Sequence, residues 1–395
     1  MRGPVPGAGR ASGLVPRLWA PAGGVPNHQP LAPLDRIHQL SHPLLPLPWP
    51  YHPSNGCYCV SPQIPHREGL MNSIDLSLHA LEDRAIGSLA GLAVGNVLGL
   101  AVESRSREEV QARLGSSGAF TRLPTEERGR DWDDDLAMAM ALSESLLSLP
   151  ADAEHLNTQA ILNAYLGWLR SGSRGIGSLT REVLLKSLAG EANASERVWK
   201  SRCERGQQPL GNGAAMRIAP LGVAFASKPG RIPQLAGEDA ALTHFDPICR
   251  QSAALIALLT AALVRGERAP MTFARAHAEP LLPEVARAYN PLSLDQLAGQ
   301  RIDDWDMGST LVALQVAVSI LASGLPYIEA LPWVIRQGGD TDTNGAIVGA
   351  LLGARDGVSA IPKEWRECVS QGDRILHTGR QLFQRSGLVT PQEIS

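Results

Sequence analysis

The sequence predicts an all-α protein. Beyond about residue 80, few stretches alternate apolar and polar residues with a period of two, and none is bounded like a hairpin. Aromatic residues make up only 5% of the 395 residues, whereas there are 39 glycines, a composition that favours closely packed helices over an aromatic-rich sheet. Amphipathic or buried helices are predicted over 160–170, 181–188, 249–264, 310–323 and 328–337.

The N-terminal region has a different composition from the rest. Residues 1–70 contain 14 of the 29 prolines and no lysine. Proline lacks a backbone N–H and restricts the residue before it, so such a region cannot sustain helices. We predict a disordered Pro-rich extension over 1–70 and a folded domain over 75–385. A translation start at Met71 and a Pro-rich partner ligand are the alternatives for the extension.

Charge and cysteine content exclude several classes of protein. The net charge of −3 lacks the basic excess of a nucleic-acid-binding protein. The five cysteines are too few for a disulfide framework, and their odd number argues against complete pairing. No apolar run typical of a signal peptide follows the first arginines. We expect a cytoplasmic protein with no membrane or nucleic-acid partner; its oligomeric state stays open, with a monomer favoured.

Two segments carry glycine at every fourth position, which places the glycines on one face of a helix. The glycines are Gly87, Gly91, Gly95 and Gly99 in the first segment, and Gly345, Gly349 and Gly353 in the second. Glycine in a helix costs about 1 kcal/mol relative to alanine, so close backbone approach is the expected compensation. The pattern also occurs in membrane helices, but Asn96 interrupts a segment that is short for spanning. We predict a buried central helix pair.

An acidic cluster precedes the apolar run that starts at Leu136. It consists of Asp131, Asp133, Asp134 and Asp135 around Trp132. One or two of these residues could cap a helix and complement its dipole. Four carboxylates so close together repel one another unless solvent or cations neutralise them, so both an acidic cap and a metal site are open.

A second acidic cluster opens the other glycine-bearing helix. Asp340, Asp342 and the Thr343 hydroxyl are hard oxygen ligands, which suit Mg²⁺, Mn²⁺ or Ca²⁺. An EF-hand loop starting at Asp340 would need a glutamate where Leu351 stands, which excludes that motif. If the two helix starts converge, their carboxylates could hold one or two divalent cations.

Two further segments place polar residues at turn-like positions. Gly211, Asn212 and Gly213 precede a helix-like segment, and such turns can present N–H groups to phosphate. His244 stands before the helix predicted at 249. Each alone is more often an ordinary turn or cap than a ligand site.

Together these motifs resemble the ADP-ribosylglycohydrolase family over about 83–370. The matching segments, in the family's order, are GLAVGNVLGLAVE (91–103), WDDDLAM (132–138), GNGAAMRIAP (211–220), THFDP (243–247), GGDTDT (338–343) and SAIPKEW (359–365). The resemblance implies a compact, single-domain orthogonal helix bundle. It also implies a hydrolase that cleaves the glycosidic bond between ADP-ribose and a protein side chain or another acceptor.

The resemblance also implies roles for individual residues. Two divalent cations, Mg²⁺ or Mn²⁺, would be held by Asp133, Asp134, Asp135, Asp340, Asp342 and Thr343. Glu103 and Asp135 would be the catalytic carboxylates, one of which would accept the proton of the attacking water. Gly211, Asn212, Gly213 and His244 would bind the substrate, an ADP-ribosylated protein or a small ADP-ribose conjugate.

The chain departs from the family pattern at several positions. Asn96 replaces an aspartate, Asp133 and Leu136 replace threonines, and Gly175 stands where many bacterial relatives have aspartate. A segment around Asp303 and Asp306 replaces a Gly-Gly-Tyr-Val stretch near the adenosine side. These departures motivate an alternative, a catalytically impaired ADP-ribose-binding module of the same fold.

Overall fold

The computed structural model describes residues 67–114, 132–150, 153–304 and 306–388 of the chain. Within these ranges the chain forms seventeen α-helices and no β-strand, which confirms the predicted all-α class. The helices are α1 Arg67–Leu100, α2 Arg107–Leu114, α3 Asp134–Leu147, α4 Thr158–Arg170, α5 Ser178–Leu188, α6 Ala194–Glu204, α7 Ala219–Ala224, α8 Ile232–Ala241, α9 Pro247–Arg265, α10 Pro270–His277, α11 Pro283–Ala288, α12 Leu294–Gly299, α13 Thr310–Ser323, α14 Tyr327–Ile335, α15 Thr341–Asp356, α16 Lys363–Arg366 and α17 Gly372–Arg385. The predicted Pro-rich extension lies outside the described residues as far as position 66.

Helices α1 and α15 form the centre of the fold and contact each other through their glycines. A Cβ added to Gly91 would collide with the Gly349 carbonyl oxygen, and one added to Gly95 would collide with the Gly345 carbonyl oxygen. The collisions are reciprocal, because a Cβ on Gly349 would strike the Gly91 carbonyl oxygen. The two backbones therefore touch, as the glycine spacing predicts, and the helices run antiparallel.

Helix α9 packs against this pair and against α7, α8, α10 and α13. Among the described residues, α9 alone is long and apolar enough to cross a membrane by length and composition. However, 78% of its apolar window is buried against protein, as expected for a core helix. Its N-terminus is capped by Asp246, whose side chain accepts a hydrogen bond from the Ile248 N–H.

The acidic clusters stand at the starts of α3 and α15. Asp133 is the N-cap of α3 and Asp340 is the N-cap of α15, yet neither side chain accepts a hydrogen bond from the helix it precedes. Capping by a side chain therefore does not account for either carboxylate. Both Asp133 oxygens lack a hydrogen-bond partner, and Asp340 accepts one from Asn212.

Short backbone ladders hold the loops around these helix starts. The segment after α1 pairs with the turn before α15, since the Ser104 N–H donates to the Gly339 carbonyl over 2.8 Å and the Gly339 N–H donates to Arg105 over 2.8 Å. Gly339 has a φ of +76°, a conformation that glycine adopts without steric cost. The ladder fixes Asp340 beside the end of α1.

Candidate active site

Helices α3 and α15 bring both acidic clusters to one place. The carboxylates of Asp133, Asp134 and Asp135 offer oxygens that all lie within 4.8 Å of one another. Asp342 and Asp340 lie close enough to this trio for their charges to affect its pKa values. Residues about 200 positions apart in the sequence thus share one buried acidic cluster.

The cluster has more carboxylate oxygens than hydrogen-bond partners. Both Asp133 oxygens, the Asp135 Oδ1 and the Asp342 Oδ1 are buried without a hydrogen-bond partner. Within the described ranges, none of these carboxylates forms an ion pair with lysine, arginine or histidine. Unpaired buried carboxylates are costly unless a cation neutralises them, and hard oxygen donors suit Mg²⁺ or Mn²⁺. The donor set therefore fits divalent cations.

The pKa values of these carboxyls also reflect their burial and their closeness to one another. Burial raises the pKa of Asp133 to about 6, although the neighbouring Asn96 and Asp342 side chains offset part of the rise. Burial, followed by the charges of nearby aspartates, also raises the pKa of Asp134, Asp135 and Asp342 well above the usual range. A bound cation would favour the ionised forms.

A cavity of about 600 Å³ opens beside the cluster. Among the predicted site residues, those that line it are Glu103, Asp134, Gly211, Asn212, Gly213, His244, Asp340, Asp342 and Thr343. The Asn212 Nδ2 donates to the Asp340 Oδ2 over 2.6 Å, which joins the predicted substrate-binding turn to the predicted metal ligands. The cavity is large enough to hold a nucleotide-sized ligand.

The two predicted catalytic carboxylates occupy different environments. Glu103 is exposed at the cavity, and its pKa is raised by partial desolvation and by the charges of Asp340 and Asp133. Asp135 is only 1% exposed, and its Oδ2 accepts a hydrogen bond from the Asn96 Nδ2 over 3.0 Å. Of the two, Glu103 is better placed to exchange a proton with a ligand in the cavity.

Of the positions that depart from the family pattern, Gly175 lies directly against the cluster. A Cβ added to Gly175 would lie 2.9 Å from the Asp134 Oδ1, so a side chain at this position would project onto Asp134. The Gly175 φ of +70° disfavours residues other than glycine. Leu136 is fully buried in the hydrophobic core and offers no ligand atom.

His244 packs against the Gly211–Gly213 turn. A Cβ on Gly211 would lie 3.0 Å from the His244 Nε2, so the missing side chain makes room for the ring. Burial, followed by the charges of Arg217 and Arg202, lowers the pKa of His244 to about 3. The imidazole is therefore neutral at ordinary pH.

Sequence reasoning missed several residues that build the cavity wall. Arg202 and Thr180 line the cavity. Arg217 and Asp239 form a completely buried ion pair behind His244, with 2.9 Å between the Arg217 Nε and the Asp239 Oδ2. The one available signal was a charged residue, Arg217, within the apolar GNGAAMRIAP segment.

Comparison with known proteins agrees with the fold. The family model described as ADP-ribosylglycohydrolase matches residues 77–391. ADP-ribosylarginine hydrolase Tri1 of Serratia proteamaculans is 26% identical, over 76% of this chain and 79% of that protein. The ADP-ribosyl-[dinitrogen reductase] glycohydrolase of Rhodospirillum rubrum is 26% identical, over 72% of this chain and 90% of that protein. Human ADP-ribosylhydrolase ARH3 is 24% identical, over 65% of this chain and 80% of that protein.

A solved structure supports the same assignment. An ADP-ribosylglycohydrolase-related protein complex matches with a TM-score of 0.58 and 26% identity, over 78% of this chain and 99% of that chain. The all-α fold and the family match thus place the chain among the glycosidic hydrolases. The chain belongs to the ADP-ribosylglycohydrolase family, whose members hydrolyse glycosidic linkages of ADP-ribose.

Proposed function

We propose that this protein is a metal-dependent hydrolase that releases ADP-ribose from a protein side chain or from a small ADP-ribose conjugate. The observation that carries the proposal is the set of unpaired, buried carboxylate oxygens beside a cavity of about 600 Å³. A cluster that served stability alone would be expected to have cationic or hydrogen-bonding partners. The relatives named above support the substrate class.

The proposed ligands of two divalent cations, Mg²⁺ or Mn²⁺, are Asp133, Asp134, Asp135, Asp340, Asp342 and Thr343. Asp133 contributes a carboxylate in place of a threonine hydroxyl, and Thr343 keeps a neutral oxygen in the cluster. When bound, the cations would neutralise the carboxylates and polarise the oxygens of ribose hydroxyls or water. The number of carboxylates favours hard divalent ions over Zn²⁺, which prefers nitrogen and sulfur ligands.

The chain's own residues account for the remaining requirements of glycoside cleavage. Glu103 is exposed to the cavity beside the cluster, so its carboxylate can accept a proton from the attacking water and return it to the departing acceptor group. As the glycosidic bond breaks, positive charge develops on the ribose, and the surrounding carboxylates stabilise it. The Gly211–Gly213 turn and His244 border the space for the rest of the ligand.

The test combines hydrolysis with binding. ADP-ribosyl-arginine and ADP-ribosyl-serine peptides are incubated with the protein in Mg²⁺, Mn²⁺ or EDTA, and the release of ADP-ribose is measured beside its affinity. We expect release that EDTA abolishes and that Asp342→Ala reduces by orders of magnitude, whereas Asp295→Ala, an exposed aspartate on α12, keeps full activity. Binding without release would instead identify an ADP-ribose-binding module.

A further inference from the structure

Behind His244 lies a buried chain of hydrogen bonds that the proposed reaction does not itself require. The Thr243 Oγ1 is 2.9 Å from the His244 Nδ1 and accepts a hydrogen bond from the Arg217 Nη1, also over 2.9 Å. Thr243 and Arg217 are fully buried, and His244 is 2% exposed. The three polar side chains are thus removed from water.

Arg217 is itself fixed from several sides. Its Nε donates to the Asp239 Oδ2 over 2.9 Å, and its Nη1 also donates to the Gly213 carbonyl over 3.0 Å. The Tyr165 hydroxyl donates to the other Asp239 oxygen over 2.7 Å, and the guanidinium lies 4.7 Å from the centre of the Tyr165 ring. A buried ion pair contributes little net stability compared with apolar residues, so a role in orienting its neighbours is a stronger reason for its presence.

The donors and acceptors in this series of hydrogen bonds determine which ring nitrogen of His244 carries the proton. Arginine can only donate, so the Thr243 oxygen accepts from Arg217. In the part of the chain that the structure describes, the hydroxyl has two hydrogen-bond partners, Arg217 and His244. The buried hydroxyl hydrogen needs an acceptor, and of these two partners only the imidazole can accept. The His244 Nδ1 is therefore unprotonated, and in the neutral ring the proton resides on Nε2.

The protonated nitrogen faces the substrate-binding turn. A Cβ on Gly211 would lie 3.0 Å from Nε2, and a Cβ on Gly213 would lie 3.1 Å from it. His244 also lines the cavity. The Nε2–H is consequently available to an acceptor at the turn, while the opposite tautomer would present a lone pair there and repel an anionic oxygen.

We propose that Arg217 and Thr243 are positioning residues that hold neutral His244 in its Nε2–H tautomer, so that it donates a hydrogen bond to an oxygen of the bound ligand. The acceptor class is a phosphate oxygen or a ribose hydroxyl. This last step rests on the proposed function, whereas the tautomer follows from the protein alone.

The tautomer is measured by NMR of the whole protein labelled with ¹⁵N at histidine, without ligand, with His244→Gln used to assign the signal. We expect a neutral ring protonated at Nε2. Finding Nδ1 protonated, or an imidazolium near neutral pH, would overturn the proposal. This measurement needs no variant at Thr243, so it decides the matter even if such variants fold poorly.

Variants at Thr243 then test whether this residue sets the tautomer of His244. Thr243→Ser retains the hydroxyl and is expected to retain both the Nε2–H signal and the affinity for ADP-ribose. Thr243→Val removes the donor and is expected to mix the two tautomers and weaken ADP-ribose binding by about tenfold, the loss of one hydrogen bond to a charged acceptor. An unchanged tautomer and affinity in folded Thr243→Val would contradict the positioning role of Thr243. If wild-type His244 carries the proton on Nε2 but the protein binds no ADP-ribose, the proposed function is wrong, whereas the assignment of the tautomer remains correct.

Discussion

The Asn96 Nδ2 donates a 3.0 Å hydrogen bond to the Asp135 Oδ2, within a cluster otherwise made of carboxylates. An aspartate at position 96 could not donate this bond when ionised. The amide orients Asp135 without adding a negative charge. Because Asn96 directly follows Gly95, whose backbone touches that of Gly345 in α15, the contact between α1 and α15 also fixes the backbone that carries the amide.

We predict that Asn96→Asp destabilises the metal-free protein. The substitution removes the donor and adds a buried like charge, so the free energy of unfolding in EDTA should fall by about 2 kcal/mol. Thermal melting in EDTA and in Mn²⁺ measures this, and the rise on adding Mn²⁺ should be larger than in the wild type. The matched control is Asn163→Asp, an exposed position on α4, which should melt like the wild type in both buffers. Equal melting of the two variants in EDTA would contradict the role given to Asn96.

We predict that the acidic cluster makes the metal-free protein more stable at lower pH. The folded pKa of Asp133 is about 6, above its ordinary value, so the folded state binds more protons than the unfolded state between about pH 4 and pH 6. The contribution of this group is fully present below that range and is lost as the pH rises through about 6. Denaturant unfolding in EDTA at pH 5.5 and 7.5 measures the difference.

The control for this prediction is Asp133→Asn, which cannot titrate and should flatten the pH dependence. His244 acts in the opposite direction, since its lowered pKa makes the folded protein less stable as the pH falls below about 6.5. Because His244 is present in both proteins, the comparison between wild type and Asp133→Asn cancels its contribution to the pH dependence. With Mg²⁺ present, the stabilisation by metal should increase with pH, because the ligands must be deprotonated.

We predict that Gly91→Ala severely destabilises the fold. The added methyl group would strike the Gly349 carbonyl oxygen, a backbone atom that cannot move aside by rotation. Overpacking usually costs 1–3 kcal/mol, and a backbone collision should cost about 3 kcal/mol or more. The control is Gly167→Ala in α4, where a Cβ meets nothing within 4 Å. That variant should gain up to about 1 kcal/mol, so destabilisation of both variants alike would contradict the interpretation.

We predict that Arg202 contributes to ligand affinity. Arg202 lines the cavity, and Glu182 holds its guanidinium, since the Glu182 Oε2 accepts hydrogen bonds of 2.9 Å from Nε and 2.7 Å from Nη2. The Nη1 group remains for an anionic ligand, so Arg202→Ala should weaken ADP-ribose binding by about tenfold. Calorimetry measures this, with the exposed Arg197→Ala on the same helix as the control. Equal affinities for the two variants would remove Arg202 from the binding site.

The local sequence pattern predicts the helices well because their signals are short-range. The glycines of α1 and α15 indicate close contact through a spacing that any helix imposes, and the structure pairs Gly91 with Gly349 as expected. Helix α4 was predicted over 160–170 and spans Thr158–Arg170. The convergence of Asp135 and Asp342 was inferred from two acidic helix starts and from the order of the family motifs.

The residues around the cavity and behind His244 were less predictable, because their contacts join positions far apart in the sequence. Arg217 and Asp239 are 22 residues apart, and Tyr165 is 74 residues from Asp239. No periodicity links such positions, and a buried arginine looks like a surface residue in a composition count. Arg202 lies on α6 beside several other charged residues, such as Arg197 and Lys200, so only the structure distinguishes it from them.

The glycine contact between α1 and α15 has a consequence for how this enzyme could change its specificity. Peptide groups, rather than interchangeable side chains, set the spacing between the helix that carries Asn96 and the helix that carries Asp342. The loops that contribute Gly211 and Asp306 to the cavity are joined by backbone hydrogen bonds to each other, and not to these glycines. Evolution or engineering can therefore remodel the loops for a new acceptor while the spacing between α1 and α15 stays constant.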